Sequence, residues 1–402
     1  MPGRIVILGA GHAGVECATA LRARKFGGTV DLVGDDPHLP YQRPPLSKDY
    51  IKRPGDPLPL KPKQFFADNR ITLRPGQRAA GIDRKRRQVR LESGEALPYD
   101  HLVLATGARN RRLHIPGIND GTAFELRTLA DADRILGSIR DWRQVAIVGG
   151  GFVGLEAAAL LTTMGIAVHV IETAPRLMQR TASPTLSSWF AEWHRENGTA
   201  VHLDTQVAAV EQEAARVVAR LTDGNRLVAD AAIVAAGVLP NVELAAAAGL
   251  AVGNGIVVDA NLLTSDPAIS AIGDCANFPS SRLPGRARLE SVQNAADQAR
   301  TVAARLTGET KPYDALPWFW SIQGGVRLQI AGLSKPGLSE VVRGDPDSGR
   351  FSVFLFDGER LTAVESVNAA ADHMIARRLI AERRKVEPAG VGDLSLDLKS
   401  LL

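Results

Sequence analysis

RIVILGAGHAGVECATALRARK, residues 4–25, decides the fold of this chain. A short β-branched run leads into Gly9-Ala10-Gly11-His12-Ala13-Gly14 and then into an amphipathic helical pattern. A second strand, TVDLVGD (29–35), follows and ends at Asp35, about 20 residues beyond the third glycine, the interval expected of a dinucleotide-binding unit. In such a unit the glycines allow a tight turn, close approach of the backbone to a pyrophosphate, and close packing of helix on sheet. The helix N-terminus stabilises the phosphate charge, and the acid accepts from a ribose hydroxyl. Gly9, Gly11, Gly14 and Asp35 are therefore candidate nucleotide contacts.

The pattern recurs in RQVAIVGGGFVGLEAAALLTTMGIAVHVIE (143–172), which places Gly149, Gly151 and Gly154 between a strand and a helix and closes the next strand with Glu172. A lone glycine fingerprint is weak evidence, but two units complete with strand, turn, helix, strand and acid imply two dinucleotides on two doubly wound α/β domains. A carboxylate at the end of the second strand favours the free 2′-hydroxyl of NAD and repels a 2′-phosphate. No arginine follows it directly, since Thr173, Ala174 and Pro175 come before Arg176, and the expected nucleotide there is NADH.

At 402 residues the chain is long enough for two or three domains. Its 48 basic and 44 acidic side chains leave a net charge of only +4, too balanced for a dedicated nucleic-acid binder but suited to docking an acidic protein on a local patch. The longest apolar run, Ala231 to Leu239, falls well short of the roughly 18 residues that span a bilayer. The N-terminal apolar run leads directly into the glycine loop, so it reads as a strand rather than a signal peptide, and a cytoplasmic protein is expected. The two cysteines, Cys17 and Cys275, are far apart and in no paired motif. They offer no disulfide framework, no zinc site and no redox dithiol, and read as buried small apolar residues.

Further stretches extend the pattern. LVLATGARN (102–110) and IVAAGVLPN (233–241) are strand-to-turn segments flanking the second unit, and TSDPAISAIGDCA (264–276) ends a strand at Gly273-Asp274. YQRPPLSK (41–48) carries two prolines that fix φ and remove two donors, so it reads as a rigid bracket around Lys48. WFWSIQ (318–323) is aromatic. From Arg4 to about Asp397 the chain resembles the NADH-dependent, FAD-containing ferredoxin reductases of bacterial oxygenase systems, the putidaredoxin, palustrisredoxin and rhodocoxin reductase type. The resemblance implies an FAD-binding domain at 1–110 and 242–315, split by an NAD-binding domain at 111–241. A small C-terminal α+β domain at 316–402 would cover the flavin; its runs SVFLFDGERLTAVESV read as antiparallel strands, followed by a basic helix from about Ala369.

The same resemblance assigns roles. Lys48 would sit near the flavin N5, paired with Glu156 in the first turns of the second fingerprint helix; a fixed cation there favours electron density arriving at N5. Asp274 would accept from the ribityl hydroxyls, and the helix from Val292 would direct its N-terminus at charge developing around N1 and O2. Ala13, Asp35, Ala79, Arg127 and Val292 match FAD contacts, and Trp320 falls where an aromatic ring lies beside the flavin. Trp318 and Phe319 read as packing. Where the family commonly has an aspartate two residues after that tryptophan, this chain has Ile322.

The implied activity is transfer of electrons from NADH through FAD to a 2Fe–2S ferredoxin, transiently docked and acidic, that serves a haem monooxygenase or an aromatic-ring dioxygenase. The chain would be a monomer or weak homodimer. An NADH oxidase and a rubredoxin- or quinone-type reductase share the fold, and a signalling flavoprotein similar to apoptosis-inducing factor is a reading of another class. The basic clusters Arg109, Arg111, Arg112 and Arg377, Arg378, Arg383, Arg384, Lys385 are either docking patches or solvated faces. Arg84-Lys85-Arg86-Arg87 lies in a predicted hairpin and reads as solvated.

Overall fold

A computed structural model describes residues 2–402 apart from positions 53, 54, 56, 57, 120, 215 and 284. From the N-terminus the chain forms β1 (Arg4–Leu8), α1 (His12–Ala23), β2 (Thr29–Val33), β3 (Ile71–Arg74) and β4 (His101–Leu104). Its middle gives β5 (Ala123–Glu125), β6 (Gln144–Val148), α2 (Phe152–Thr163), β7 (Ala167–Ile171), α3 (Pro184–Glu196), β8 (Thr199–His202) and β9 (Ala231–Val234). Next come β10 (Ile269–Ala271) and α4 (Val292–Leu306). The chain closes with β11 (Trp318–Gln323), β12 (Val326–Gly332), β13 (Ser339–Asp345), β14 (Arg350–Asp357), β15 (Arg360–Val367) and α5 (Ala370–Ala381).

Two compact units result. The first comprises Met1–Gln42, Pro57–Arg109 and Leu239–Pro317; the second comprises Arg43–Asp56, Asn110–Val238 and Trp318–Leu402. The bracket with Lys48 thus belongs to the unit that holds the second glycine loop and the C-terminal segment.

In the first unit a five-stranded sheet runs in the order β10-β4-β1-β2-β3, all pairs parallel. Its central strands read as near-continuous apolar runs, as sheets covered on both faces do, and Ile5, Val6, Ile7, Leu102, Val103 and Leu104 are fully buried. Each large side chain so buried contributes roughly 2 kcal/mol. Helix α1 packs along α4 through small side chains at helical spacing: Ala13, Cys17 and Ala18 on one, Ala295, Ala299 and Ala303 on the other. The small residues let the two backbones approach, and Arg300 closes the outer edge by pairing with Glu16 at 2.7 Å.

The second unit repeats the plan with a parallel sheet in the order β8-β7-β6-β9-β5. An antiparallel sheet, β11-β12-β15-β14-β13, forms the C-terminal part of this unit, with α5 packed on β12 and β15. Strand β11 lies along α2: the Phe319 ring meets Phe152 edge-on at 4.8 Å. Two carboxylates of the same sheet fasten the start of α3. Glu365 on β15 accepts from the Ser183 backbone at 2.9 Å and bonds its hydroxyl at 2.5 Å, while Glu340 on β13 accepts from Thr185 N at 3.2 Å. Ser183 also caps the helix by accepting from Leu186 N, so the backbone N–H groups at the start of α3 find side-chain acceptors. No helix among the described residues is long and apolar enough to cross a membrane.

Candidate active site

Both glycine loops have the same physical construction. Gly9 has φ +110° and Gly149 φ +117°, conformations an L side chain rarely adopts. A Cβ on Gly9 would lie 2.0 Å from Ala105 O, and one on Gly149 would lie 2.5 Å from Ala235 O. At the third position the collision is with the loop itself: a Cβ on Gly14 falls 1.9 Å from Gly9 O, and on Gly154 2.2 Å from Gly149 O. The middle glycines differ from these, because a Cβ on Gly11 or Gly151 meets nothing within 4 Å. The first glycine lets the loop approach the turn after a neighbouring strand, the third closes the loop onto its own backbone, and the middle one leaves bare peptide at the N-terminus of α1 or α2. That is the shape a pyrophosphate needs.

The two acids are held differently. Strand β2 stops at Val33, two residues short of the expected end, and Asp35 is exposed beyond it. Gly9 N–H donates to Val33 O and Gly34 N–H to Arg74 O, so the last pairing with both neighbouring strands is made at Val33 and Gly34, ahead of Asp35. The neighbouring Asp36 is the structurally engaged acid, accepting from His38 N and Tyr41 Oη. Burial raises its carboxyl, but these bonds outweigh it and hold the group below its ordinary value. Glu172, by contrast, reaches back into its loop. Its carboxylate accepts from Gly150 N at 2.7 Å and Ala174 N at 2.8 Å. Arg176, the nearest arginine in sequence, spends its guanidinium on Ala182 O at 2.6 Å, Ser187 Oγ at 2.8 Å and Gln179 O at 3.0 Å.

Four further predicted residues share the first unit with the first loop. Ala13 is buried in the first turn of α1, and a Cβ on Gly273 would lie 3.0 Å from its own. Asp274 sits in a tight turn, Gly273–Cys275, at the foot of α4; Gln298 fixes that turn by accepting from Gly273 N at 2.8 Å. Val292 opens α4 after Ser291, whose Oγ caps the helix by accepting from Asn294 N. Ala79 begins the strand Ala79–Asp83 at a register irregularity.

Lys48, Glu156, Trp320 and Arg127 belong to the second unit. Pro44–Ser47 forms one turn of 3-10 helix, and Lys48 leaves it with its Nζ 2.6 Å from Glu156 Oε2 and 3.1 Å from Pro44 O. The carboxylate is buried on α2 and accepts two more bonds, from Ser47 Oγ to Oε2 and from Ser321 Oγ to Oε1, each at 2.7 Å. A buried ion pair is tolerated only with such additional partners. Sequence reasoning missed Ser47, Ser321, Gln323 and His194. A period-2 reading of WFWSIQ was the available signal, since it puts Ser321 and Gln323 on one face of β11. The same alternation turns Trp320 to the opposite face from Ser321 and Glu156, beside Trp318 (5.7 Å) and the exposed Ile322. Arg127 O accepts from Arg43, the residue before the prolines, at 3.0 Å.

Both cysteines are fully buried, and burial, partly offset by Arg305, pushes the Cys17 thiol up to about 12. Neither is a reactive thiolate at neutral pH. The basic clusters are partly self-neutralised: Arg109 pairs with Glu243 at 2.7 Å, and Arg378 and Arg384 share Glu382. Arg377 stacks over Trp318 at 4.2 Å. Arg84 departs from the solvated reading, bonding Asp266 at 2.7 Å, because the hairpin folds its first residue back onto the unit.

Residues 3–299 match the pyridine nucleotide-disulphide oxidoreductase family, and residues 318–402 match the reductase C-terminal family. The chain belongs to the pyridine nucleotide-disulphide oxidoreductase family. Rhodocoxin reductase of Rhodococcus erythropolis is 47% identical over 98% of this chain and 93% of its own. Among solved structures, the ferredoxin reductase for the CYP199A2 system from Rhodopseudomonas palustris is 48% identical with a TM-score of 0.97, covering 99% of each chain. Putidaredoxin reductase in its covalent complex with putidaredoxin is 40% identical with a TM-score of 0.95, covering 99% of this chain and 98% of that one. This family member is an oxidoreductase whose cofactors are FAD and NAD(H). The two cradles fit that pair: each is bare at its middle glycine, and the second carries an acid with no free cation from Arg176 to receive a 2′-phosphate.

Proposed function

We propose that this chain is the reductase component of a bacterial oxygenase system, oxidising NADH and delivering single electrons to a small 2Fe–2S ferredoxin. Full-length likeness to rhodocoxin reductase and to the reductase of the CYP199A2 system carries the reading. The terminal acceptor is a haem monooxygenase or an aromatic-ring dioxygenase. FAD when bound accepts a hydride and releases its electrons singly, a conversion that needs no dithiol. With both cysteines buried and inert, the chain supplies none.

In this assignment 1–110 and 242–315 hold FAD, 111–241 holds NADH, and 316–402 covers the flavin. Gly9, Gly11, Ala13, Gly14, Asp35, Ala79, Arg127, Asp274 and Val292 bind FAD; Gly149, Gly151, Gly154 and Glu172 bind NADH. Asp274 accepts from ribityl hydroxyls, and α4 directs its N-terminus at negative charge on the reduced ring. Lys48 places a cation at the flavin, held by Glu156, and Trp320 shields the ring and shortens the path to the partner. Dependence on the NADH pool places the enzyme in the cytoplasm.

The test is anaerobic: NADH, a 2Fe–2S ferredoxin from the same organism and catalytic amounts of the yellow protein, followed by the ferredoxin's visible absorbance. Rapid bleaching of the ferredoxin is expected. Bleaching of the flavin with every cognate ferredoxin left oxidised, or consumption of oxygen alone once air is admitted, would move the oxidase reading ahead.

A further inference from the structure

One carboxylate, Glu156, is held from two sides, and only one of those sides includes Lys48. On the other side a buried chain of polar groups runs through the second unit: His194 Nε2 lies 2.8 Å from Gln323 Oε1, Gln323 Nε2 lies 3.3 Å from Ser321 Oγ, and Ser321 Oγ lies 2.7 Å from Glu156 Oε1. All three donors come from segments far from Lys48 in sequence, α3 and β11.

The polarity of this chain follows from its last link. Glu156 as a lysine-paired carboxylate only accepts, so the single Ser321 hydroxyl proton points to it. Ser321 must then accept from Gln323, which directs the amide NH2 to Ser321 and its oxygen to His194. That oxygen in turn requires His194 to donate from Nε2–H. Burial holds His194 below its ordinary pKa, although the Gln323 bond opposes this, so a neutral imidazole with a fixed tautomer begins the chain. Its Nδ1 is buried without a hydrogen-bond partner among the described residues, which marks the imidazole as the end of the line rather than a relay.

We propose that Ser321, Gln323 and His194 are positioning residues for Lys48: a one-way hydrogen-bond chain pins Oε1 of Glu156 and so leaves Oε2 aimed at Ser47 and Lys48. This rests on the reading that Lys48 acts at the flavin. Without the chain, the carboxylate is held at one oxygen only and can rotate about its terminal torsion, carrying the ammonium with it. The arrangement also joins the lysine to β11, whose opposite face carries Trp320, so the residue that meets hydride chemistry and the strand that presents the aromatic ring share one support.

Two readouts test it in the FAD-loaded enzyme. The first is the reactivity of Lys48 toward an amine acylating reagent, followed by mass spectrometry. Ser321→Ala frees the carboxylate and raises labelling of Lys48 several-fold above that of exposed lysines taken as internal references, and Gln323→Met, which keeps the volume but removes the donor to Ser321, raises it less. The second is a double-mutant cycle on the limiting rate of flavin reduction by NADH. Losing a hydrogen bond to a charged group makes Ser321→Ala about tenfold slower with little change in the NADH concentration for half-saturation. If it acts through Lys48, it adds less than about twofold on a Lys48→Ala background. Wild-type labelling of Lys48 in both variants overturns the proposal, as does a full independent rate loss on the Lys48→Ala background. A Lys48→Ala enzyme that is reduced at the wild-type rate instead overturns the reading of Lys48 itself, and the labelling experiment then decides the chain alone. Should Ser321→Ala fail to fold, Gln323→Met carries both measurements.

Discussion

The two glycine cradles of this chain are nearly superimposable in construction yet differ in what stands behind them. Gly9 and Gly149 share a positive φ and a close approach to the next strand's turn, and Gly14 and Gly154 each lie against the first carbonyl of their own loop. Behind the first loop, α1 is sheathed by α4 through alanines and a buried cysteine. Behind the second, α2 carries Glu156 in its second turn and turns that carboxylate toward Lys48 and β11. In the proposed assignment both helices serve a nucleotide, and the second also holds a catalytic candidate. A shared fold therefore fixes the cradle and leaves the rest of each helix free to specialise.

The largest effect expected is from an alanine at the third glycine of each loop. Each new Cβ would fall about 2 Å from a carbonyl oxygen of the same loop, so the turn must open at a cost of roughly 1–3 kcal/mol or more. Gly14→Ala should purify colourless or lose its flavin on dilution. Gly154→Ala should stay yellow and fail to be reduced by NADH, while dithionite still bleaches it. Identical behaviour of the two variants, read by flavin absorbance per protein, would break the division of the loops between FAD and NADH.

The second loop has another support that the first lacks. Glu365, buried on β15, bonds Ser183 at the end of the segment that follows Glu172. Burial, with Glu340 nearby, pushes its carboxyl up to about 7 despite the Ser183 bonds and Arg176. The folded state therefore holds a proton there that the unfolded chain releases near pH 4.5, and stability from this group is lost as pH rises from about 4.5 to 7. At about 1.4 kcal/mol per pKa unit the cost at pH 8 is at most roughly 3–4 kcal/mol. Glu365→Gln keeps the shape and cannot ionise: thermal melts should show it more stable than wild type at pH 8 and equal to it at pH 5. An advantage that persists unchanged at pH 5 would show that Glu365 does not titrate in this window.

How much of this was legible in the sequence differs between the loops and their surroundings. Both cradles could be read directly, because each lies in one contiguous run whose glycines have a steric reason. Strand β2 was read two residues too long, since nothing in TVDLVGD marks Val33 as its last residue. Lys48 and Glu156 lie 108 positions apart, and only the resemblance paired them. Ser321, Gln323 and His194 were not found, because an isolated serine or histidine in an apolar run looks the same whether it is a satisfied core group or part of a network. Glu365 was equally silent in AVESV, where its neighbours identify a buried strand but not the serine waiting for it.

The smallest effect expected concerns the two acids, and it separates binding of a ribose from rejection of a phosphate. Glu172 accepts from Gly150 and Ala174 backbone groups, fixing the loop, and in the proposed NADH site it would also oppose a 2′-phosphate by charge. Glu172→Ala removes both, so kcat/KM with NADH should fall and that with NADPH should rise, each by about tenfold or less, the scale of one charge-assisted contact. NADPH should still not become the better substrate. Arg176 is the nearest arginine in sequence, and its three bonds to Ala182, Ser187 and Gln179 keep it in the loop. If steady-state kinetics instead show NADPH overtaking NADH, Arg176 has left those partners for the phosphate, and the loop is more pliable than its bonding implies. Asp35, exposed and outside its strand, provides the contrast: Asp35→Asn removes a charge but releases no loop, so FAD retention should change by less than the NADH kinetics do on losing Glu172.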